Sequence, residues 1–238
     1  MPNQQPTIIF VHGAFADASG WRDVADGLRQ SGYPVYAPAN PLRGVHADAD
    51  YIRSFAATID GPVVLVGHSY GGCVITNASA GLPNAQALVY IAAYAPDEGE
   101  TLADAGTLGG GTTQLTDHLV IRPYPGAPEG DADGYIDPAY FHQLFCADVQ
   151  PELAAFMAEA QRGIALSGLV TPSGVPGWRT VPSWYQVSAR DAAIPPEAER
   201  AMAQRAGAHI SEVDASHAAM ISQPKATLEV ILAATQNP

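Results

Sequence analysis

Over the first hundred residues, short and wholly apolar runs alternate with longer stretches in which apolar residues recur every three or four positions. The first kind reads as strands buried on both faces, the second as helices with one apolar stripe. Together they predict a parallel sheet covered on both sides. "TIIFVHG" is the first strand, and "SGWRDVADGLRQSG" the first helix, with Ser19 as its N-cap and Gly32 as its stop. "YPVYAP" is the second strand. "DADYIRSFAATID" follows as a helix with acids in its first turn, where the helix dipole favours them. "PVVLVGHS", "YGGCVITNASAG" and "ALVYIAAYA" then read as strand, helix and strand.

The alternation stops at about Asp97 and resumes after Arg179. The intervening segment is rich in Gly and Pro, as in "AGTLGGGTTQ" and "RPYPGAPEG", and carries two helical patches, "DPAYFHQLFCADV" and "PELAAFMAEAQRGIAL". In the second patch Leu153, Phe156, Met157, Ala160 and Ile164 share one stripe, a pattern that ordinarily marks plain packing. Beyond it, "VPSWYQVSARD", "PPEAERAMAQRAG" and "HISEVDASH" read as strand, helix and strand, closed by a helix over about 218–236. The expected architecture is a doubly wound, mostly parallel sheet of about six strands. Residues 1–96 and 180–238 form its core, and 97–179 are an inserted helical cap or lid. An excursion of that length inside a compact domain is seldom plain loop.

The 238 residues suffice for one α/β domain with a substantial core. A formal net charge of −13 argues against nucleic acid or an anionic membrane surface as partner. Cys73 and Cys146 are too few for a disulfide framework. The opening "MPNQQPTIIFVHG" lacks the basic start and long apolar run of a signal peptide, and no stretch reaches the roughly 20 apolar residues of a membrane span. The expectation is a soluble, cytoplasmic protein. No pattern sets its oligomeric state, and a homodimer stays open. The histidines are scattered with no paired-ligand spacing, and "GGG" at 109–111 lacks the lysine of a phosphate loop, so no metal and no cofactor is expected.

The chemistry centres on "VVLVGHSYGGCVI". Gly67-His68-Ser69-Tyr70-Gly71 fits G-x-S-x-G, a turn so tight between strand and helix that side chains two before and two after the serine would collide. Ser69 then projects above the carboxyl edge of the sheet, where doubly wound folds bind ligands. A serine is a weak nucleophile and needs a base, and the base needs an orienting acid. In such turns the chain order is serine, acid, histidine. His118 and His142 lie in the insertion, and His209 lies at the wrong end of the last strand. His217 follows that strand at its carboxyl edge and is the candidate base. Asp191 leaves the penultimate strand at the same edge and is the candidate acid, with Asp97 the runner-up; Asp214 is too close along the chain to reach back. His68 reads as structural.

An oxyanion needs two main-chain donors. Tyr70, at the head of the helix after Ser69, supplies one. "FVHGAF" supplies the other, through Ala14 N–H with Phe15 as alternative, and His12 ties that loop down.

With these elements in order, the chain resembles the α/β-hydrolase superfamily along nearly its whole length. "VHGAFADASGW", "LVGHSYGG", "ARDAAIPPEAERAMAQ" and "DASHAAMISQP" are most similar to the small serine esterases grouped with hydroxynitrile lyases and plant methylesterases. The resemblance implies Ser69 as nucleophile, His217 as base, Asp191 as acid, Ala14 and Tyr70 as oxyanion donors, and a buried pocket beneath a helical cap. The lyases carry a threonine where Gly13 stands and a lysine where Ala218 stands, so the esterase branch fits better. Aspartate-elbow dehalogenases and epoxide hydrolases are disfavoured by Ser69. The expected partner is a small-molecule carboxylic ester, small to medium and apolar, contacted by Phe15, Tyr94, the cap helices and Trp184. The same triad acting on a lactone, thioester or carbon–carbon bond, and a non-catalytic receptor on this fold, are the alternatives.

Overall fold

The structure is a computed structural model that describes residues 5–236. Met1–Gln4, which open the stretch read above for a signal peptide, and Asn237–Pro238 lie outside the described residues. Strands β1 (Thr7–Val11), β2 (Val35–Tyr36), β3 (Val63–Ser69) and β4 (Ala85–Ala93) are separated by helices α1 (Arg22–Gln30), α2 (Val45–Ala57) and α3 (Tyr70–Ala78). The next segment holds α4 (Leu102–Ala105), β5 (Leu119–Arg122), β6 (Asp133–Ile136), α5 (Pro138–Phe145), α6 (Pro151–Glu159), β7 (Ile164–Ala165) and α7 (Ser167–Val170). It is followed by β8 (Ser183–Ser188), α8 (Pro196–Arg205), β9 (His209–Val213), α9 (Ala219–Ser222) and α10 (Pro224–Gln236).

Six strands pair in parallel in the order β2-β1-β3-β4-β8-β9, the doubly wound arrangement that the alternation predicts. The apolar runs serve both faces at once. In β1, Ile8 and Phe10 pack with α1 and α10, while Ile9 and Val11 pack with the layer of α2, α3 and α8. Burial of each such side chain contributes about 1.5–3 kcal/mol relative to exposure, so the sheet is fixed from both sides. Among the described residues no helix is long and apolar enough to cross a membrane.

Several local expectations change. The first helix is entered through a short 3₁₀ turn (Ala18–Trp21) capped by Asp17, not Ser19: the Asp17 carboxylate accepts the Ser19 N–H at 2.7 Å and the Ser19 hydroxyl at 2.5 Å. Gly32 does stop this helical region, at φ +87°. The closing helix is broken at Gln223, because Pro224 has no N–H with which to continue it. The Gly- and Pro-rich insertion contains a three-stranded antiparallel sheet, β5-β6-β7, besides the two helices expected there.

The stripe on α6 also departs from plain packing. Ala154 is buried, but Leu153 and Phe156 are exposed, Phe156 to 63%. That apolar face looks onto a cleft.

Candidate active site

The site begins with a strained serine. Ser69 ends β3 at φ +54°, ψ −125°, a region that residues with a Cβ rarely occupy. The neighbouring glycines explain how it is held. A Cβ on Gly67 would stand 2.6 Å from the Gly71 carbonyl oxygen, and one on Gly71 would collide with the Val11 carbonyl oxygen. The chain therefore reverses from strand to helix in a space that admits only hydrogen at both positions. Tyr94 N–H donates to the Ser69 carbonyl (3.1 Å), fastening the turn to the end of β4.

The loop after β1 lies directly against this turn. A Cβ on Gly13 would fall 2.6 Å from the Ser69 Cβ, so glycine permits the approach. His12 anchors the loop: Nδ1–H donates to the Gly13 carbonyl (2.9 Å), Nε2 accepts the Asn40 N–H (2.9 Å), and the His12 carbonyl accepts from the Asn40 amide (3.0 Å). Burial lowers its pKa, the Gly13 hydrogen bond opposing. Phe15, at φ +62°, gives its N–H to the Arg162 carbonyl (3.1 Å), so it is unavailable as an oxyanion donor. Ala14 N–H has no hydrogen-bond partner among the described residues. Tyr70 N–H heads α3, where first-turn donors lack intrahelical acceptors. The Tyr70 hydroxyl is fixed separately, donating to the buried Asp48 carboxylate at 2.8 Å.

His217, 1% exposed, sits in the loop after β9. Its Nδ1 meets Asp191 Oδ2 at 2.5 Å, and Asp191 Oδ1 accepts the N–H groups of Ala193 (2.7 Å) and Ile194 (2.9 Å). The carboxylate is thus held by three donors, and it leaves Nε2 as the ring nitrogen free for chemistry. The loop has two further clamps. His68 Nε2–H donates to the His217 carbonyl (2.9 Å), and Ser216 donates through both N–H and hydroxyl to Asp148. Burial holds the His68 pKa well below its usual value, with the nearby His217 adding to the effect, so His68 is neutral. Ser69 and His217 occupy the same carboxyl edge, and the hydroxyl makes no hydrogen bond to the imidazole in this structure.

A cleft of about 420 Å³ is lined by Phe15, Phe145, Phe156, Met157, Met220 and Ile221, together with Asp17, Arg22 and Asp23; Ser69 and His217 are not among its lining residues. Phe145 belongs to both places: it lines the cleft, and its ring packs edge-on against His217, centroids 5.0 Å apart.

The structure joins His217 to Asp191, sets the loop of Gly13 and Ala14 against the turn of Ser69 and Tyr70, ties that turn to the His217 loop through His68, and places Phe15 in the cleft. Tyr94 is partly buried beside the elbow, its phenol pushed up by the burial of its hydroxyl, and it does not line the cleft. Trp184 is a correction: it faces the opposite side of the sheet, in the core with Ile8 and Phe10, and stacks on His209 at 4.8 Å. Adjacent positions of β8 alternate in direction, and Tyr185 takes the site-side position, donating to the Ala93 carbonyl. Asp97 and Asp214 are engaged elsewhere, in ion pairs with Arg179 (2.5 Å) and Arg190 (2.5 Å). The Asp148 clamp on Ser216 carries no sequence motif because it spans 68 positions, and Glu199 carries none because a charged residue on a helix ordinarily reads as solvent-facing.

The geometry agrees with what the chain resembles. A profile of the alpha/beta hydrolase family matches residues 8–230. A carbendazim hydrolyzing esterase from Nocardioides sp. (strain SG-4G) is 35% identical over 107 residues, a match spanning 40% of this chain and 44%, less than half, of that relative. Polyneuridine aldehyde esterase superposes with a TM-score of 0.83 at 21% identity, covering 97% of this chain and 99% of that one. A methylesterase from Arabidopsis superposes with a TM-score of 0.77 at 17% identity, over 96% and 98% of the two chains. At those identities the likeness is one of fold. With the profile spanning almost the whole length, the chain belongs to the alpha/beta hydrolase family.

Proposed function

We propose that the protein hydrolyses a carboxylic ester of a small to medium, apolar compound through an acyl-enzyme on Ser69. The observation that carries this reading is the strained Ser69 at the carboxyl edge, with His217, oriented by Asp191 at 2.5 Å, tied to the same turn through His68. Ser69 attacks the ester carbonyl as His217 Nε2 takes its proton, through a hydrogen bond that forms when substrate binds. Asp191 holds the imidazole in the Nδ1–H tautomer and stabilises the cation that forms. Ala14 and Tyr70 N–H groups receive the oxyanion; losing one such donor costs roughly 10²–10³ in rate. His217 then protonates the departing alcohol, and a water activated by the same nitrogen releases the acid.

Residues 97–179 serve as the cap, with α5 and α6 supplying apolar wall to the cleft. The esterase names of the sequence relative and of both fold neighbours support this bond type over a lactone, thioester or carbon–carbon bond. The test is a series of nitrophenyl esters of increasing acyl length, assayed with the wild type and Ser69→Ala. Turnover that favours apolar acyl groups and disappears in Ser69→Ala is expected. Undiminished turnover in the variant would refute the assignment.

A further inference from the structure

Glu199 on α8 is 0% exposed, an unusual condition for a carboxyl group. One oxygen, Oε2, accepts the Ser188 N–H at 3.1 Å; the other, Oε1, has no N–H or hydroxyl donor facing it. Asp191 belongs to the same turn: its N–H donates to the carbonyl of Ser188 (3.2 Å), the residue whose own N–H holds Glu199, and the two carboxyl groups face each other. Among the described residues no cation pairs with it, and the one that acts on it, the charge of Arg200, opposes the burial only weakly. Tyr94, just past β4, and Tyr185, within β8, approach as neutral phenols, both pushed up by burial. Arg200, next along α8, turns outward and pairs with Glu212 at 2.7 Å and 3.0 Å.

Two carboxyl groups in contact in a dry site cannot both be ionised, so the pair shares one proton. The division of donors decides where it sits. Asp191 receives Ala193 N–H, Ile194 N–H and His217 Nδ1–H, whereas Glu199 receives one main-chain N–H. The negative charge belongs on Asp191 and the proton on Glu199.

We propose that Glu199 is a positioning residue of the site: as a neutral acid it donates a hydrogen bond to Asp191, so that the pair presents a single, spread negative charge to His217. Burial, the repulsion from Asp191 and their mutual hydrogen bond all push Glu199 well above the ordinary carboxylate range, in keeping with that state. The consequence is that Asp191, its charge shared with a donor, stabilises an imidazolium at His217 less than a bare carboxylate would.

The inference rests on the proposed triad for its functional meaning, but its test does not need turnover. Infrared difference spectra between wild type and Glu199→Gln at neutral pH should show the carbonyl stretch of a protonated carboxylic acid, lost in the variant. NMR titration of the His217 ring then compares three proteins. Glu199→Gln retains an N–H donor toward Asp191 and should titrate as the wild type does. Glu199→Met removes the donor and should raise the His217 pKa by about one unit, the scale of a hydrogen bond to a charged group, moving the acid limb of any esterase activity to higher pH. No protonated-acid band overturns the proposal, as does an equal shift in both variants or a shift in neither. If Glu199→Met fails to fold, the infrared band and the Glu199→Gln titration decide. A nucleophile other than Ser69 would leave both measurements standing, so the two failures are separable.

Discussion

The side chain of His68 donates to the main-chain carbonyl of His217 at 2.9 Å, joining the residue before the elbow serine to the proposed base across 149 positions of sequence. The bond fixes a loop rather than a ring. It sets the height of the imidazole above the sheet edge, while Asp191 sets its rotation. His68 itself is enclosed by Trp21 and Phe145, with ring centroids 6.4 Å and 5.9 Å away, which keeps it dry and neutral.

His68→Phe should therefore damage catalysis more than binding. The phenyl ring fills similar space but leaves the His217 carbonyl buried without a donor, a loss of about 1–3 kcal/mol. Urea unfolding should register that loss, and kcat should fall while KM stays near the wild-type value. An unaltered kcat would show that the loop needs no such tether.

The two buried neutral histidines also make stability depend on pH. Burial lowers the pKa of both His12 and His68 below 6.5, the value for an exposed histidine. Below that value the unfolded chain binds protons that the folded chain does not, so unfolding is favoured as pH falls. Each such histidine contributes a slope of about 1.4 kcal/mol per pH unit between its unfolded and its lower, folded pKa. The unfolding midpoint should drop steadily from pH 7 to pH 5, and less steeply in His68→Phe. A flat profile over that range would contradict the assignment of both as neutral.

Asp191→Asn tests orientation separately from folding. The Asn carbonyl oxygen can still accept the N–H groups of Ala193 and Ile194, so the loop is retained. Its amide, however, offers hydrogen to the nitrogen that should carry the proton, which selects the wrong imidazole tautomer. A fall in kcat of about 10⁴ is expected, with an unfolding midpoint close to wild type. A loss of less than tenfold, measured by steady-state kinetics, would point to another acid.

Phe156→Ala tests the cleft. The ring is 63% exposed, so its removal should alter stability by less than about 0.5 kcal/mol. As part of the apolar wall it should matter for large substrates, raising KM for long-chain or aryl esters and leaving acetate esters unaffected. Equal effects on all chain lengths, read from the same kinetic series, would place the substrate elsewhere.

Much of the candidate site is legible in the chain because the elbow imposes hard steric demands. The glycines at 67 and 71 are needed where a Cβ would strike the backbone, and that requirement leaves a visible spacing. The order of Ser69, Asp191 and His217 follows from which strands end at one edge, and strand order follows from alternation of apolar runs. The pattern failed where it carries no direction. "SWYQVS" is buried on both faces, so nothing local shows that Trp184 points toward α10 and Tyr185 toward the site. An amphipathic stripe likewise tells that α6 has an apolar face but not that a cleft lies against it. The short strands β5–β7 are not legible because two to four residues leave no period to detect. Glu199 is hidden for a different reason, since a charged residue on a helix normally reads as solvent-facing, and only the fold buries it.

The most direct measurement is the site of covalent labelling by a fluorophosphonate. Mass spectrometry of peptides from the labelled wild-type protein should place one adduct on Ser69, with no adduct anywhere in Ser69→Ala. An adduct on a different residue, or esterase turnover that proceeds in protein carrying no adduct after exhaustive treatment, would contradict the account.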